Sequence, residues 1–185
     1  MKKDKNYVCY FEDGKFIEKN SDEYKNFNDK HLFRYSLTCE LSKIGKIITV
    51  ILMNPSYADE CSLDATLDNV RKFLAEIGGY SKFQVLNIFP IRTPNSKGLI
   101  DKMEKYPEIQ AKNIEYIKKV LKGGNDVLVA WGSKYHKHAT WIFEHLKGKN
   151  VYAYGINKDF SPRHFAPQEY NRCKAKKMQK YEFKK

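Results

Sequence analysis

Four short apolar runs constrain this chain more than any other feature: Ile47 to Met53, Phe83 to Phe89, Asp126 to Ala130 and Val151 to Tyr154. They are near-continuous rather than alternating, which is the pattern of strands covered on both faces. Three stretches with helical periodicity lie between them. Thr66 to Ile77 gathers Leu67, Val70, Phe73, Leu74 and Ile77 on one face. Pro107 to Lys122 opens on a proline and ends at Gly123-Gly124, and Lys134 to Leu146 ends near Gly148. Proline near the start and glycine past the end are ordinary helix punctuation. Strand-helix alternation over residues 47–154 predicts an α/β fold, with a mostly parallel central sheet of about four strands flanked by helices.

Upstream, aromatic and β-branched residues flank Asp13-Gly14, which predicts an N-terminal β-hairpin over 7–18. His31 to Glu40 reads as a further strand. A length of 185 residues fits a single domain over 1–185, ending in a basic tail over 168–185. The longest apolar run, Ile47 to Met53, falls far short of the roughly 20 residues that cross a bilayer. Nothing apolar follows Met1-Lys2-Lys3-Asp4-Lys5, so no signal peptide is expected and the cytoplasm is the expected location. Cys9, Cys39, Cys61 and Cys173 are scattered, without metal-ligand spacing, and read as reduced thiols. No metal and no cofactor are expected, and Gly78-Gly79 and Gly123-Gly124 lack the spacing of a phosphate loop.

Charge points to a partner. Lys and Arg number 34 against 22 acids, a net +12, and such an excess attracts phosphate-rich polymers. Basic residues crowd the stretch from Arg163 to Lys185. Arg92, Arg163, Arg172, Lys174, Lys176 and Lys177 are the candidate DNA contacts of a chain expected to act as a monomer.

In an open parallel sheet, ligands bind outside the carboxyl ends of the strands. The first run ends in Asn54-Pro55-Ser56-Tyr57, the second in Asn87-Ile88-Phe89-Pro90, and the third in Trp131-Gly132-Ser133. The fourth leads into a loop, Ser161 to Pro167, that contains His164. Each has a structural reading too. Asn-Pro starts turns, Trp131 fits a core, and a single histidine in a loop is commonly a surface group. Asn87 is the hardest to dismiss, because an amide inside a strand must find partners or cost stability.

Taken together, Asn54-Pro55-Ser56, Leu86-Asn87, Ala130-Trp131-Gly132 and His164 resemble the motif series of the uracil-DNA glycosylase superfamily. A closer resemblance is to a family of uncharacterised bacterial and phage proteins with Asn-Pro-Ser, Asp-x-Thr, Asn-x-Phe-Pro and Trp-Gly segments. Here those are Asn54-Pro55-Ser56, Asp64-Ala65-Thr66, Asn87-Ile88-Phe89-Pro90 and Trp131-Gly132, and the resemblance runs from about Arg34 to Pro167. It implies a uracil-DNA glycosylase-like fold and a DNA glycosylase, an enzyme that cuts the N-glycosidic bond of a nucleotide extruded from the stack. It implies that His164 stabilises the departing base, that Asn87 reads the base edge, and that Asn54 positions the attacking water. Tyr57 or Phe89 would stack on the base, with Trp131 also in the base-binding set.

Two departures shape the expectation. Uracil-specific relatives carry a tyrosine where this chain has Ser56, so a 5-substituted pyrimidine becomes the expected base. A hypermodified base of phage DNA, such as glucosylated hydroxymethylcytosine, is one example, and the setting would be phage defence or DNA repair. The usual His-Pro is His164-Phe165 here, which opens the geometry of that loop to question. Asp64 reads either as the cap of the Thr66 to Ile77 helix or as a second catalytic carboxylate. Two rival readings fit the same residues: a non-catalytic nucleic-acid-binding module, and an enzyme acting on free nucleotides or nucleosides.

Overall fold

The computed structural model describes residues 9–12, 33–55, 63–93, 97–172 and 177–183. One seven-stranded sheet organises them, ordered β1-β2-β4-β3-β5-β6-β7. In chain order the strands are β1 (Cys9–Glu12), β2 (Ser36–Glu40), β3 (Lys46–Leu52), β4 (Tyr80–Asn87), β5 (Asp126–Val129), β6 (Val151–Ala153) and β7 (Gln179–Lys180). The central four, β4-β3-β5-β6, are parallel, and antiparallel strands extend both sides. These four are the apolar runs of the sequence. β4 begins three residues earlier than its run predicts and ends on Asn87.

The helices are α1 (Ala65–Ile77), α2 (Leu99–Glu104), α3 (Pro107–Leu121), α4 (Phe143–Leu146) and α5 (Pro167–Arg172), with a 3-10 helix over His136–Ile142. None of the described helices is long and apolar enough to cross a membrane. α1 starts where its sequence allows. Asp64 adopts an extended backbone and its Oδ1 accepts the N–H of Leu67 at 2.8 Å, satisfying a donor that the first turn leaves orphaned. Pro107 opens α3, where a missing N–H costs nothing.

Alternation resolves the two faces. Val50, Leu52, Val85 and Leu128 pack with Leu67, Val70, Phe73 and Leu74 of α1 and with Tyr170 of α5. Ile51, Leu86, Val127 and Val129 point the other way, onto Leu99, Met103, Ile117, Leu121 and Ile142. Both faces are buried, so strands whose side chains alternate between them still read as continuous apolar runs.

One expectation changes. Lys134 to Leu146 is not one α-helix: it turns as a 3-10 helix before the single α-helical turn of α4. Trp131 Nε1 donates to His136 Nδ1 at 3.1 Å and pins the helix start to the core, and Thr140-Trp141-Ile142 are poor α-helix formers. Parts of the basic tail are ordered against the sheet and its helices. Pro167–Arg172 is helical with Tyr170 buried, Gln179–Lys180 pairs with β6, and Tyr181 is 5% exposed. Of the expected N-terminal hairpin, Cys9–Glu12 is a strand paired with β2, while the Asp13-Gly14 turn and the second arm lie outside the described residues.

The order of the parallel strands places the ligand crevice. From β3 the chain passes through α1 to β4 on one side, then returns through α2 and α3 to β5 on the other. The connection leaving β3 therefore runs toward β4 while the one leaving its neighbour β5 runs the other way, toward β6, and the loops beyond their carboxyl ends splay apart.

Candidate functional site

A cleft of about 650 Å³ lies at that switch point. Its wall takes Leu52, Met53 and Asn54 from the end of β3, Asn87 from the end of β4, and Trp131 to Lys134 from the end of β5. Asp64, Thr66 and Leu67 come from the start of α1, and His164, Ala166 and Glu169 from the segment after β6. Arg34 and Thr93 complete it. Asn54, Asp64, Asn87, Trp131 and His164 thus meet in one place, from five separate stretches of chain.

Asn87 is fully buried, and neither its Oδ1 nor its Nδ2 has a hydrogen-bond partner among the described residues. Its main-chain carbonyl is by contrast well held, accepting from Asn113 Nδ2 at 2.9 Å. A buried amide without partners costs roughly 1–3 kcal/mol. Here the cost falls on a side chain that lines a cleft.

Asn54 is placed differently. Its Nδ2 donates to Pro55 O at 3.0 Å and to Thr93 O at 2.8 Å, clamping the loop after β3 to the segment after β4. Both amide hydrogens are spent on this brace, so any role toward a ligand falls to the acceptor Oδ1.

His164 is held from three sides. The N–H of Ala166 donates to its Nδ1 at 3.0 Å, its own N–H donates to Glu169 Oε2 at 3.1 Å, and the Tyr154 hydroxyl donates to its carbonyl. Burial pulls the imidazole pKa down to about 4, so the ring is neutral at physiological pH. With Nδ1 accepting, the ring proton sits on Nε2, and His164 is a hydrogen-bond donor.

The residue after it settles how this loop keeps its shape. Phe165 is fully buried, its ring 4.2 Å from that of Tyr154, 5.4 Å from Tyr170 and 5.5 Å from Phe73. Its carbonyl accepts from Asn69 Nδ2 at 3.0 Å. Aromatic packing does here what a proline would do by ring constraint. Gly132 fits the same loop from the other side: its φ is +78°, its N–H donates to Pro162 O at 2.9 Å, and a Cβ would sit 3.3 Å from that of His164. Only glycine meets both conditions without strain.

Asp64 contributes a second character beyond its cap. Burial raises its carboxyl pKa, opposed by the Leu67 N–H, the Arg34 charge and the Thr66 N–H. Arg34 is 4% exposed and lies in the cleft wall. Sequence reading passed over both Arg34 and Glu169. A charge within the apolar stretch Leu32-Phe33-Arg34-Tyr35 was the available signal, since a buried cation demands partners.

The expected base-stacking residues divide. Phe89 does not line the cleft: it is 6% exposed and packs edge-on against Tyr135, with ring centroids 5.7 Å apart. Trp131 reaches the wall but is 1% exposed, its ring packed with His136, Phe143 and Tyr181. A side chain past the end of a strand points where its local turn sends it, and both turns send these rings into the core. Ser56 and Tyr57 lie outside the described residues.

Of the expected DNA contacts, Arg172 and Lys177 are exposed and Arg92 and Arg163 half-buried, none of them in the cleft wall; Lys174 and Lys176 lie outside the described residues. Among the described residues no three His, Cys, Asp or Glu side chains gather as a metal site.

No curated protein and no solved structure matches the chain. A family model does match, over residues 34–165, a span that runs from the arginine of the cleft wall to the phenylalanine that anchors the His164 loop. The chain belongs to that family, which is described as a protein of unknown function, DUF1643.

Proposed function

We propose that the chain is a DNA glycosylase that hydrolyses the N-glycosidic bond of an extruded, 5-substituted pyrimidine and leaves an abasic site. The observation that carries the reading is the Asn87 amide, buried in the cleft with both polar atoms unsatisfied among the described residues. The Watson–Crick edge of a pyrimidine presents a donor and an acceptor side by side, which is what such an amide lacks.

The neighbouring groups suit the same chemistry. Breaking the bond leaves negative charge on the base, and a neutral His164 offers its Nε2–H to that charge without first giving up a proton. Asn54 Oδ1 is an acceptor for a water on the sugar side. A cleft of about 650 Å³ falls in the size range that encloses a drug-sized ligand, room for a nucleoside carrying an added group. The net charge of +12 suits a polyanionic partner. The motif resemblance and Ser56 favour a modified base, and a role in phage defence or repair suits such a substrate.

The test is incubation with oligonucleotides carrying 5-hydroxymethylcytosine, 5-hydroxymethyluracil or uracil, and with phage DNA rich in glucosylated hydroxymethylcytosine, followed by alkali. Alkali-labile breaks at the modified positions are expected. DNA binding without breaks on any of them overturns the reading in favour of a binding module. Turnover of free nucleosides with little salt dependence overturns it in favour of a nucleoside enzyme.

A further inference from the structure

We infer that Asp64, the residue that caps α1, is also the base that takes the proton of the attacking water. This rests on the glycosylase reading and assigns a step within it. Hydrolysis at a sugar carbon needs a proton acceptor on the water side, and the group at the end of β3 does not provide one. Asn54 is an amide, which does not accept a proton near neutral pH, and its Nδ2 is committed to Pro55 O and Thr93 O.

Among the described residues, two carboxylates line the cleft, Asp64 and Glu169. Glu169 is exposed, and its Oε2 accepts the main-chain N–H of His164, so it positions the loop on the leaving-group side. Asp64 is half-buried beside the start of α1, and Oδ1 is fixed by the Leu67 N–H at 2.8 Å. A carboxylate has about four lone-pair sites, so capping leaves acceptor capacity for a water. The cap holds the side chain in one orientation, which a general base requires. Burial raises the Asp64 carboxyl pKa, which makes it a readier proton acceptor, and the Leu67 N–H and the Arg34 charge oppose that rise.

The step balances. Water oxygen bonds to the sugar C1′ as the bond from C1′ to the base nitrogen breaks, and that electron pair leaves with the base toward His164 Nε2–H. The water proton passes to Asp64, which returns it to solvent, and the base anion is then protonated by solvent. The products are a hemiacetal abasic site and the free base.

The cap itself makes the test clean. Asn and Ser cap helices about as well as Asp, whereas Ala does not. Asp64→Asn, Asp64→Ser and Asp64→Ala are compared with the parent for single-turnover excision against pH and for thermal midpoint, on whichever DNA the parent cuts. A general base contributes on the order of 100-fold to 10,000-fold. All three variants should lose at least about 100-fold in rate and the acidic limb of the pH profile, while only Asp64→Ala loses stability. Excision by Asp64→Asn and Asp64→Ser within about tenfold of the parent reduces Asp64 to a cap and overturns the assignment, leaving the glycosylase reading in place. A parent that cuts none of the DNAs overturns both.

Discussion

The main-chain N–H of Ala166 donates to Nδ1 of His164 at 3.0 Å, and that single bond decides what the ring can do. It assigns the acceptor role to Nδ1 and leaves Nε2 to carry the proton. Protonating the ring would place two N–H groups nose to nose, and burial adds its own penalty to the cation.

The pH dependence of stability follows. The folded pKa of His164 is about 4 against an ordinary 6.5, so the unfolded chain binds more protons between those values. His164 therefore costs nothing above about pH 6.5, and its contribution against the fold grows as pH drops toward 4. A His164→Gln variant should lose less thermal stability than the parent over that window. Equal slopes of melting temperature against pH would show that the ring is not held neutral. Excision by the parent should show no titration near 6.5 that His164→Gln removes.

Asn87 sets stability against activity. Replacing a buried group whose polar atoms lack protein partners removes a desolvation cost and no hydrogen bond. Leucine has nearly the same size, so Asn87→Leu should be neutral or stabilising by about 1 kcal/mol, roughly 2–4 °C in a chain of this length. Excision should fall by 100-fold or more, with affinity for unmodified DNA unchanged. Calorimetry and gel-shift assays read the two halves separately. A clear drop in melting temperature would mean that the amide is a structural bond after all.

The legible part of this architecture was the part governed by burial on two faces. β3, β4, β5 and β6 stand close to where their apolar runs lie, and the cleft sits where parallel strands end. Side-chain direction beyond those ends was not legible. Asn87 is the last residue of a strand, and its orientation follows the sheet's alternation with Val85 and Phe83. Phe89 lies past the sheet, where one change of turn moves a ring from a pocket into the core. The role of Phe165 was hidden for a related reason: its partners Phe73, Tyr154 and Tyr170 come from three distant segments that only the fold assembles. Arg34 and Glu169 were likewise ordinary charges until the strands and α5 brought them to one wall.

Asn54 yields the least intuitive expectation. The motif resemblance implies that Asn54 positions the attacking water, so Asn54→Asp looks like a gain of a catalytic base. The geometry argues the reverse. Nδ2 of Asn54 donates to two carbonyls, Pro55 O at 3.0 Å and Thr93 O at 2.8 Å. An aspartate there has no hydrogens to give and turns a negative oxygen toward both acceptors. The loss of two half-buried hydrogen bonds, compounded by repulsion, should cost on the order of 1–3 kcal/mol. It should also release the loop after β3 from the segment carrying Thr93. Asn54→Asp is therefore expected to melt several degrees below the parent and to excise more slowly, with the deficit shrinking at pH values that protonate the new carboxyl. Melting curves at pH 4.5 and pH 8, beside single-turnover rates, measure both. A variant faster than the parent at unchanged stability would mean that the water is activated at the end of β3, and would remove the reason for assigning that task to Asp64.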